Sequence, residues 1–266
     1  MVTSVTRGTV KLRKNEMDYF CFGSGKTPFV LLPGLSVKPV INSAEGVASA
    51  YRMFADDFTV YCFERTKFLD ENYTVEMLAD DTAEAMESLG LSGVCLMGAS
   101  QGGMMAQYIA AKHPSLVKKL LLASTCARLF PKADEVMTRW VNNAKSGDYD
   151  AFFDYFIDVL FGKAFAEKFG EFIRIAHSDV TKADFERFML LGRSCDVLDT
   201  RGLLGQIKCP SLVIGAVNDR VLTAEASLEI AQLLGCPCYF YGAEYGHCVF
   251  DEAPDYKQRI YDFFTA

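Results

Sequence analysis

The sequence predicts an α/β protein whose mostly parallel central sheet is flanked by helices and interrupted by a helical insertion. Short apolar runs rich in β-branched and aromatic residues alternate with helical patterns along most of its 266 residues. Strands that alternate with helices need crossover connections, which produce parallel pairing. Some runs, such as residues 29–32, are apolar on both faces, as expected of strands that helices cover on each side.

The first half of the chain predicts strands and helices in alternation. The predicted strands cover residues 17–22, 29–32, 59–63, 94–97 and 119–123, and the predicted helices cover residues 44–55, 75–89 and 101–112. Local chemistry supports these boundaries, since Thr74 can cap the second helix and Gly90 can end it.

A change of pattern marks the insertion. Between residues 127 and 205 the strand signals vanish, and apolar residues recur at helical spacing, as at Phe152, Phe156 and Val159. Strand signals return at residues 211–217 and 237–241, with helices predicted at 223–234 and 254–264. We therefore predict a core built from residues 1–126 and 206–266, with a helical insertion at residues 127–205.

Composition narrows the class of protein. With 50% hydrophobic and 23% charged residues, the chain can bury a sizeable core, and a net charge of −7 argues against nucleic acid as a partner. The first fifteen residues contain no apolar run, so we expect neither a secretory signal nor membrane insertion. Nine cysteines cannot all pair within one chain, and most lie in apolar stretches, which favours reduced thiols in a cytoplasmic protein. A homo-oligomer is compatible with the sequence.

The sequence contains no complete motif for binding a cofactor or a metal. Cys236 and Cys238 form the only close cysteine pair, and the three histidines do not stand at ligand spacing from them. Residues 23–27 end like a phosphate-binding loop, but a strand follows where a helix is required, so we interpret them as a turn. Neither G-x-G-x-x-G after a strand nor H-E-x-x-H occurs, and we therefore predict no metal and no cofactor.

A candidate nucleophile lies at Ser100. Residues 98–102 match G-x-S-x-G, a sharp turn between a strand and a helix that exposes a serine on a strained backbone. The turn needs glycines because larger side chains would collide with the neighbouring strand or helix. The motif follows the predicted strand at residues 94–97 and opens the helix at 101–112, so nucleophilic catalysis is favoured over simple helix capping.

On this motif the chain resembles the α/β-hydrolase family over nearly its whole length. Residues 111–120 are similar to the helix end and strand that the family places after its nucleophile. The resemblance implies an α/β-hydrolase fold and a serine esterase-like activity, with the insertion at 127–205 as a helical cap.

A serine hydroxyl needs a neighbouring base, usually histidine, to attack at neutral pH. His113 ends the nucleophile helix and His177 lies in the insertion, whereas His247 lies in the loop after the last predicted strand. The family order of serine, acid and histidine therefore assigns His247 as the base. The same order makes Asp219 the orienting carboxylate, since Thr223 is better placed to cap the next helix. Asp196, Asp199 and Glu244 remain alternative acids.

Two backbone N–H groups are expected to form an oxyanion hole. One belongs to Gln101, directly after the nucleophile, and the resemblance assigns the second to Leu35. Many family members carry His-Gly where this chain has Pro33-Gly34. Residues 64–68 also lack the usual aspartate-led, glycine-rich segment, which suggests a loop rebuilt for a particular ligand.

The insertion is rich in aromatic residues, which together suggest an apolar, medium-sized substrate group beneath the cap. They are Phe130, Trp140, Phe152, Phe153, Phe156, Phe161, Phe165, Phe169 and Phe172. The predicted reaction is cleavage of a carboxylic ester, thioester or lactone through an acyl-enzyme. Two alternatives use the same three residues, Ser100, Asp219 and His247, one for cleavage of a carbon–carbon bond and the other for acyl transfer. A third alternative is a ligand-binding protein without turnover.

Overall fold

The structure, a computed structural model, describes residues 4–266 and contains an eight-stranded sheet. The strands are β1 (Thr6–Lys11), β2 (Glu16–Phe22), β3 (Thr27–Leu32), β4 (Phe58–Phe63), β5 (Val94–Ala99), β6 (Val117–Ala123), β7 (Ser211–Ala216) and β8 (Cys238–Tyr241). Their order in the sheet is β1-β2-β4-β3-β5-β6-β7-β8. β2 pairs antiparallel with β1 and β4, and every other pairing is parallel, so the predicted α/β class is confirmed.

Strand β1 is the element that sequence reasoning missed. Its six residues, TRGTVK, include one apolar side chain, and most of the strand is exposed at the edge of the sheet. An edge strand that buries so little carries no apolar run. The other seven strands match their predictions to within two residues at each end.

The helices cover both faces of the sheet and fill the insertion. They are α1 (Ala44–Ala50), α2 (Val75–Ser88), α3 (Gln101–Lys112), α4 (Pro131–Ser146), α5 (Tyr149–Leu160), α6 (Lys163–Ala176), α7 (Lys182–Arg193), α8 (Arg201–Leu204), α9 (Ala224–Leu234), α10 (Val249–Glu252) and α11 (Tyr256–Thr265). Within residues 4–266, no helix has both the length and the apolar character that a membrane span requires.

Local chemistry sets the ends of several helices. The Thr74 side chain accepts a hydrogen bond from the Met77 N–H, as its capping position predicts. The single helix predicted over residues 44–55 is wrong, because α1 ends at Ala50 and a 3₁₀ turn follows at Arg52–Phe54. That turn places Tyr51 and Phe54 on the same side, where both rings pack against Phe29.

The core has one layer on each face of the sheet. In β3, Val30 and Leu32 belong to the layer that α2 and α3 cover, whereas Phe29 and Leu31 belong to the layer that α1 and α11 cover. Strand β3 is therefore buried on both sides, which explains its unbroken apolar run. This double cover holds the carboxyl ends of the parallel strands rigidly, and the candidate site lies at those ends.

Five helices, α4 to α8, lie between β6 and β7. Their aromatic side chains pack together, Phe152 against Phe156, Phe185 and Phe188, and Trp140 against Phe156. They join the core layer that also contains Val30 and Leu32. The residues that carried the helical period in the sequence are therefore mainly core residues of the insertion.

Candidate active site

Ser100 occupies a strained turn between β5 and α3. Its backbone has φ 51° and ψ −121°, a conformation that costs a non-glycine residue about 1–3 kcal/mol. The surroundings hold it there, since the Ser100 N–H donates to the Ala123 carbonyl at 2.9 Å and the Thr125 hydroxyl donates to the Ser100 carbonyl at 2.7 Å. The turn directs Ser100 to the wall of a cavity under the insertion.

The glycines of the motif are required by close backbone approach. A Cβ atom at Gly98 would lie 2.3 Å from the Gly102 carbonyl oxygen, and one at Gly102 would lie 2.2 Å from the Leu32 carbonyl oxygen. Real Cβ atoms essentially never come that close to a backbone oxygen. The tight turn is therefore possible only with glycine at both positions, as the motif predicts.

A buried histidine–aspartate pair lies at the same cavity, with His247 in its wall. His247 Nδ1 lies 2.8 Å from Asp219 Oδ2, and both side chains are almost completely shielded from solvent. The other carboxylate oxygen, Asp219 Oδ1, accepts from the N–H groups of Val221 at 2.9 Å and Leu222 at 3.0 Å. Burial acts to raise the pKa of Asp219, but the charge and hydrogen bond of His247 and the two N–H donors outweigh it and lower that pKa.

The loop that carries His247 is anchored to the insertion. The carboxylate of Glu252 accepts from the Gly246 N–H at 2.9 Å and from the Gly162 N–H at 2.8 Å. The Cys248 N–H donates to the Leu160 carbonyl at 2.9 Å. These bonds fix the backbone on both sides of His247, which joins Ser100 in lining the cavity.

The alternative histidines and acids lie elsewhere. His113 follows α3, where its ring faces Asp80 and Glu87, and His177 lies against Phe153 while its Nδ1 is 2.8 Å from the Ile173 carbonyl.

Among the alternative acids, Asp199 pairs with Arg201, Glu244 is exposed, and Asp196 lines the cavity. Asp219 is the acid that contacts His247.

The expectation that Thr223 caps α9 is wrong, because its φ of 69° is not the extended conformation of a capping residue and its side chain makes no capping bond.

Two backbone N–H groups next to Ser100 are free to bind an anion. Within residues 4–266, neither the Leu35 N–H nor the Gln101 N–H donates a hydrogen bond. Gly34 packs directly on Ser100, since a Cβ atom there would lie 3.1 Å from the serine Cβ and 3.7 Å from its Oγ. Gly34, Leu35 and Gln101 all line the cavity, so the residues predicted for an oxyanion hole share that cavity with the candidate nucleophile.

The segment at residues 64–68, expected to contact a ligand, does not line the cavity. Glu64, Arg65 and Thr66 are buried instead, behind the loop that carries Gly34. The Arg65 guanidinium donates to the Pro33 carbonyl at 2.6 Å and to Gln101 Oε1 at 3.1 Å. Sequence reasoning missed this contact, although a charged pair directly after a buried strand was a signal for it.

The cavity has a volume of about 620 Å³ and is mainly apolar. This volume falls within the range of ordinary small-molecule sites, about 300–1,000 Å³. Of the aromatic residues in the insertion, Trp140, Phe156 and Phe161 line it. The other six do not contribute to its lining: they are Phe130, Phe152, Phe153, Phe165, Phe169 and Phe172.

Comparison with known proteins agrees with the fold. A family model described as the alpha/beta hydrolase fold matches residues 27–171, just over half of the chain. The chain therefore belongs to the α/β hydrolase fold family.

Individual relatives are distant. The chain is 27% identical over 129 residues to epoxide hydrolase 4 of Mus musculus, a match that covers 48% of this chain and 34% of the relative. It thus spans about a third of the length of that relative.

Solved structures match over almost the full length. MGS-M2, an alpha/beta hydrolase enzyme from a Medee basin deep-sea metagenome library, superimposes with a TM-score of 0.87 at 18% identity, covering 97% of this chain and 98% of that one. The enol-lactonase from Burkholderia xenovorans LB400 gives a TM-score of 0.82 at 22% identity, covering 97% and 100%. At these identities the likeness establishes the fold.

Proposed function

We propose that this protein is a serine hydrolase that cleaves a carboxylic ester, thioester or lactone through an acyl-enzyme. The observation that carries the proposal is the convergence of Ser100, on its strained turn, and the buried His247–Asp219 pair on one apolar cavity. The similarity to an enol-lactonase and to hydrolases of the same fold agrees with this chemistry.

Each side chain then has a defined role. Because Asp219 accepts from the Nδ1–H of His247, the Nε2 atom is left unprotonated to take the proton of the Ser100 hydroxyl. The serine oxygen attacks the substrate carbonyl, and the N–H groups of Leu35 and Gln101 stabilise the oxyanion that forms. His247 returns the proton to the leaving group, and water activated by the same imidazole hydrolyses the acyl-enzyme.

The cavity supports a substrate with an apolar group of medium size. Its volume of about 620 Å³ and its apolar lining fit such a group more closely than a strongly charged one. The nine cysteines are all free thiols, and we propose accordingly that the enzyme works in a reducing compartment such as the cytoplasm.

A fluorophosphonate probe tests the activated serine directly. We expect the wild type to be labelled and Ser100→Ala not to be, with Ser124→Ala, a second serine on a strained turn, labelled like the wild type. Absence of labelling in the wild type would contradict the proposal and favour a ligand-binding protein without turnover.

A panel of p-nitrophenyl esters of increasing acyl length then tests the bond that is cleaved. The cavity predicts the highest kcat/KM for medium-length acyl chains. Labelling of Ser100 without hydrolysis of any ester would favour carbon–carbon cleavage or acyl transfer over ester hydrolysis.

A further inference from the structure

A buried guanidinium connects the two candidate oxyanion donors. Arg65 follows β4 after a single residue and is 3% exposed. Its Nη2 donates to the Pro33 carbonyl at 2.6 Å and lies 3.4 Å from the Gly34 carbonyl, while its Nε donates to Gln101 Oε1 at 3.1 Å. One planar group therefore holds both the loop that leads to Leu35 and the residue after the nucleophile.

The contact to Gly34 bears directly on the direction of the Leu35 N–H. The Gly34 carbonyl and the Leu35 N–H belong to the same peptide group, which is planar and trans, so its oxygen and hydrogen point in opposite directions. A donor that holds the carbonyl oxygen on one side fixes the N–H on the other. The Arg65 side lies away from the cavity, and Leu35 lines the cavity.

The partners of Arg65 are themselves fixed by the insertion. Gln101 Nε2 donates to the Leu191 carbonyl at 2.7 Å, next to the end of α7. Glu64 accepts from the Arg65 N–H at 2.7 Å and also pairs with Arg187 of α7. Burial lowers the pKa of Arg65 to about 10, with Glu64 opposing the shift, so the guanidinium remains charged at neutral pH.

We propose that Arg65 is a positioning residue that sets the direction of the Leu35 N–H group toward the oxyanion, with the Gln101 side chain as its second anchor. This inference rests on the proposed hydrolase function and adds a residue that does not itself touch substrate. Arginine suits the role because its rigid, planar fork donates in several fixed directions at once, whereas lysine presents a single compact ammonium.

The test compares Arg65→Lys with the wild type on the best p-nitrophenyl ester. Misplaced oxyanion donors weaken binding of the transition state more than binding of the substrate. We therefore expect kcat to fall about 10- to 100-fold, with KM changed by less than about threefold. Affinity for an alkyl boronic acid, whose tetrahedral adduct on Ser100 places an oxygen in the same hole, is expected to fall by a similar factor.

Arg259→Lys is the matched control. Arg259 also makes a multiple hydrogen-bonded contact, to Tyr239, Tyr241 and Asp255, but on α11 away from the cavity. We expect its kcat and its boronic acid affinity to equal those of the wild type. Thermal unfolding of both variants separates loss of positioning from loss of the fold.

The outcomes distinguish this inference from the function on which it rests. If the wild type neither reacts with fluorophosphonate nor turns over esters, the proposed function fails. If the wild type is active and Arg65→Lys matches Arg259→Lys, or loses kcat without losing boronic acid affinity, the positioning role is overturned. Should Arg65→Lys not fold, Arg65→Gln, which keeps one planar donor group, is measured in the same way, and failure of both to fold would assign Arg65 a purely structural role.

Discussion

Ser100 and Ser124 occupy matching places at the ends of two neighbouring strands. Ser100 directly follows β5 with φ 51°, and Ser124 directly follows β6 with φ 41°. Each donates its N–H to a carbonyl of the next strand in the sheet at 2.9 Å, Ser100 to Ala123 and Ser124 to Ile214. Both therefore place a serine on a backbone that non-glycine residues rarely adopt.

Their surroundings make them chemically different. Ser100 opens a long helix, lies between close-packed glycines and reaches the cavity that His247 also lines. The hydroxyl of Ser124 is fully buried and has no hydrogen-bond partner within residues 4–266. Backbone strain alone therefore does not define a nucleophile, which also needs access to substrate and a base.

The largest expected effect comes from the proposed base, His247, which serves Ser100 but not Ser124. His247→Ala removes the only proposed proton acceptor of Ser100, and we expect kcat to fall by at least about 10⁴-fold while the protein stays folded. Steady-state ester hydrolysis measures the loss. His113→Ala, at the end of α3, is the control and should keep wild-type turnover. Unchanged turnover in His247→Ala would remove this histidine from the mechanism.

The second test disturbs the close packing of glycines around Ser100, which Ser124 does not have. A Cβ atom at Gly102 would press on the Leu32 and Pro33 carbonyls, so Gly102→Ala must displace α3 from the loop that carries Leu35. We expect about 10²-fold lower kcat and about 1–3 kcal/mol lower stability in denaturant unfolding.

Gly46→Ala is the control for that substitution. A Cβ atom at Gly46, in α1, would meet nothing within 4 Å, and alanine there should raise stability by about 0.5–1 kcal/mol. If Gly102→Ala were as stable and active as Gly46→Ala, the close approach would have no role in shaping the site.

The features of the Ser100 site that depend on a local sequence pattern could be predicted from the sequence. The strand, the glycines and the helix around Ser100 lie within a few residues of one another, so their motif is visible in one dimension. His247 and Asp219 were assigned from chain order in a resembling family, and the structure places His247 Nδ1 2.8 Å from Asp219 Oδ2 although the two residues are 28 positions apart in sequence.

The features that sequence reasoning missed depend on contacts between distant segments. Arg65 meets Pro33 and Gln101, which lie 32 and 36 positions away in sequence, and no periodicity or motif reports such a contact. Strand β1 was not predicted because an exposed edge strand has no apolar run. The aromatic residues of the insertion share one helical pattern, which does not separate Trp140, on the cavity wall, from Phe152, in the core of the insertion.

The third test concerns the buried carboxylate of Asp219, which belongs to the site of Ser100 and has no equivalent near Ser124. The pKa of Asp219 is lowered in the folded protein, so its charged form stabilises the fold above the unfolded pKa of about 3.9, and that contribution is lost as pH falls through the lower folded value. We expect wild type to exceed Asp219→Asn in unfolding free energy by about 1–3 kcal/mol at pH 7. Denaturant unfolding at a series of pH values should show this gap steady down to about pH 4 and closing below it. A gap independent of pH would show that Asp219 does not contribute through its charge.

The smallest effect is expected at Ser124 itself, where two substitutions separate the buried hydroxyl from the strained backbone. Ser124→Ala removes an unpartnered polar group and keeps the same φ, so stability should stay equal or rise by up to about 1 kcal/mol. Ser124→Gly also relieves the positive φ, and any further gain over alanine measures the strain. Neither change should alter ester hydrolysis. A loss of more than about 1 kcal/mol in Ser124→Ala would mean that the hydroxyl makes a stabilising bond, and the contrast with Ser100 would then concern the cavity and the base alone.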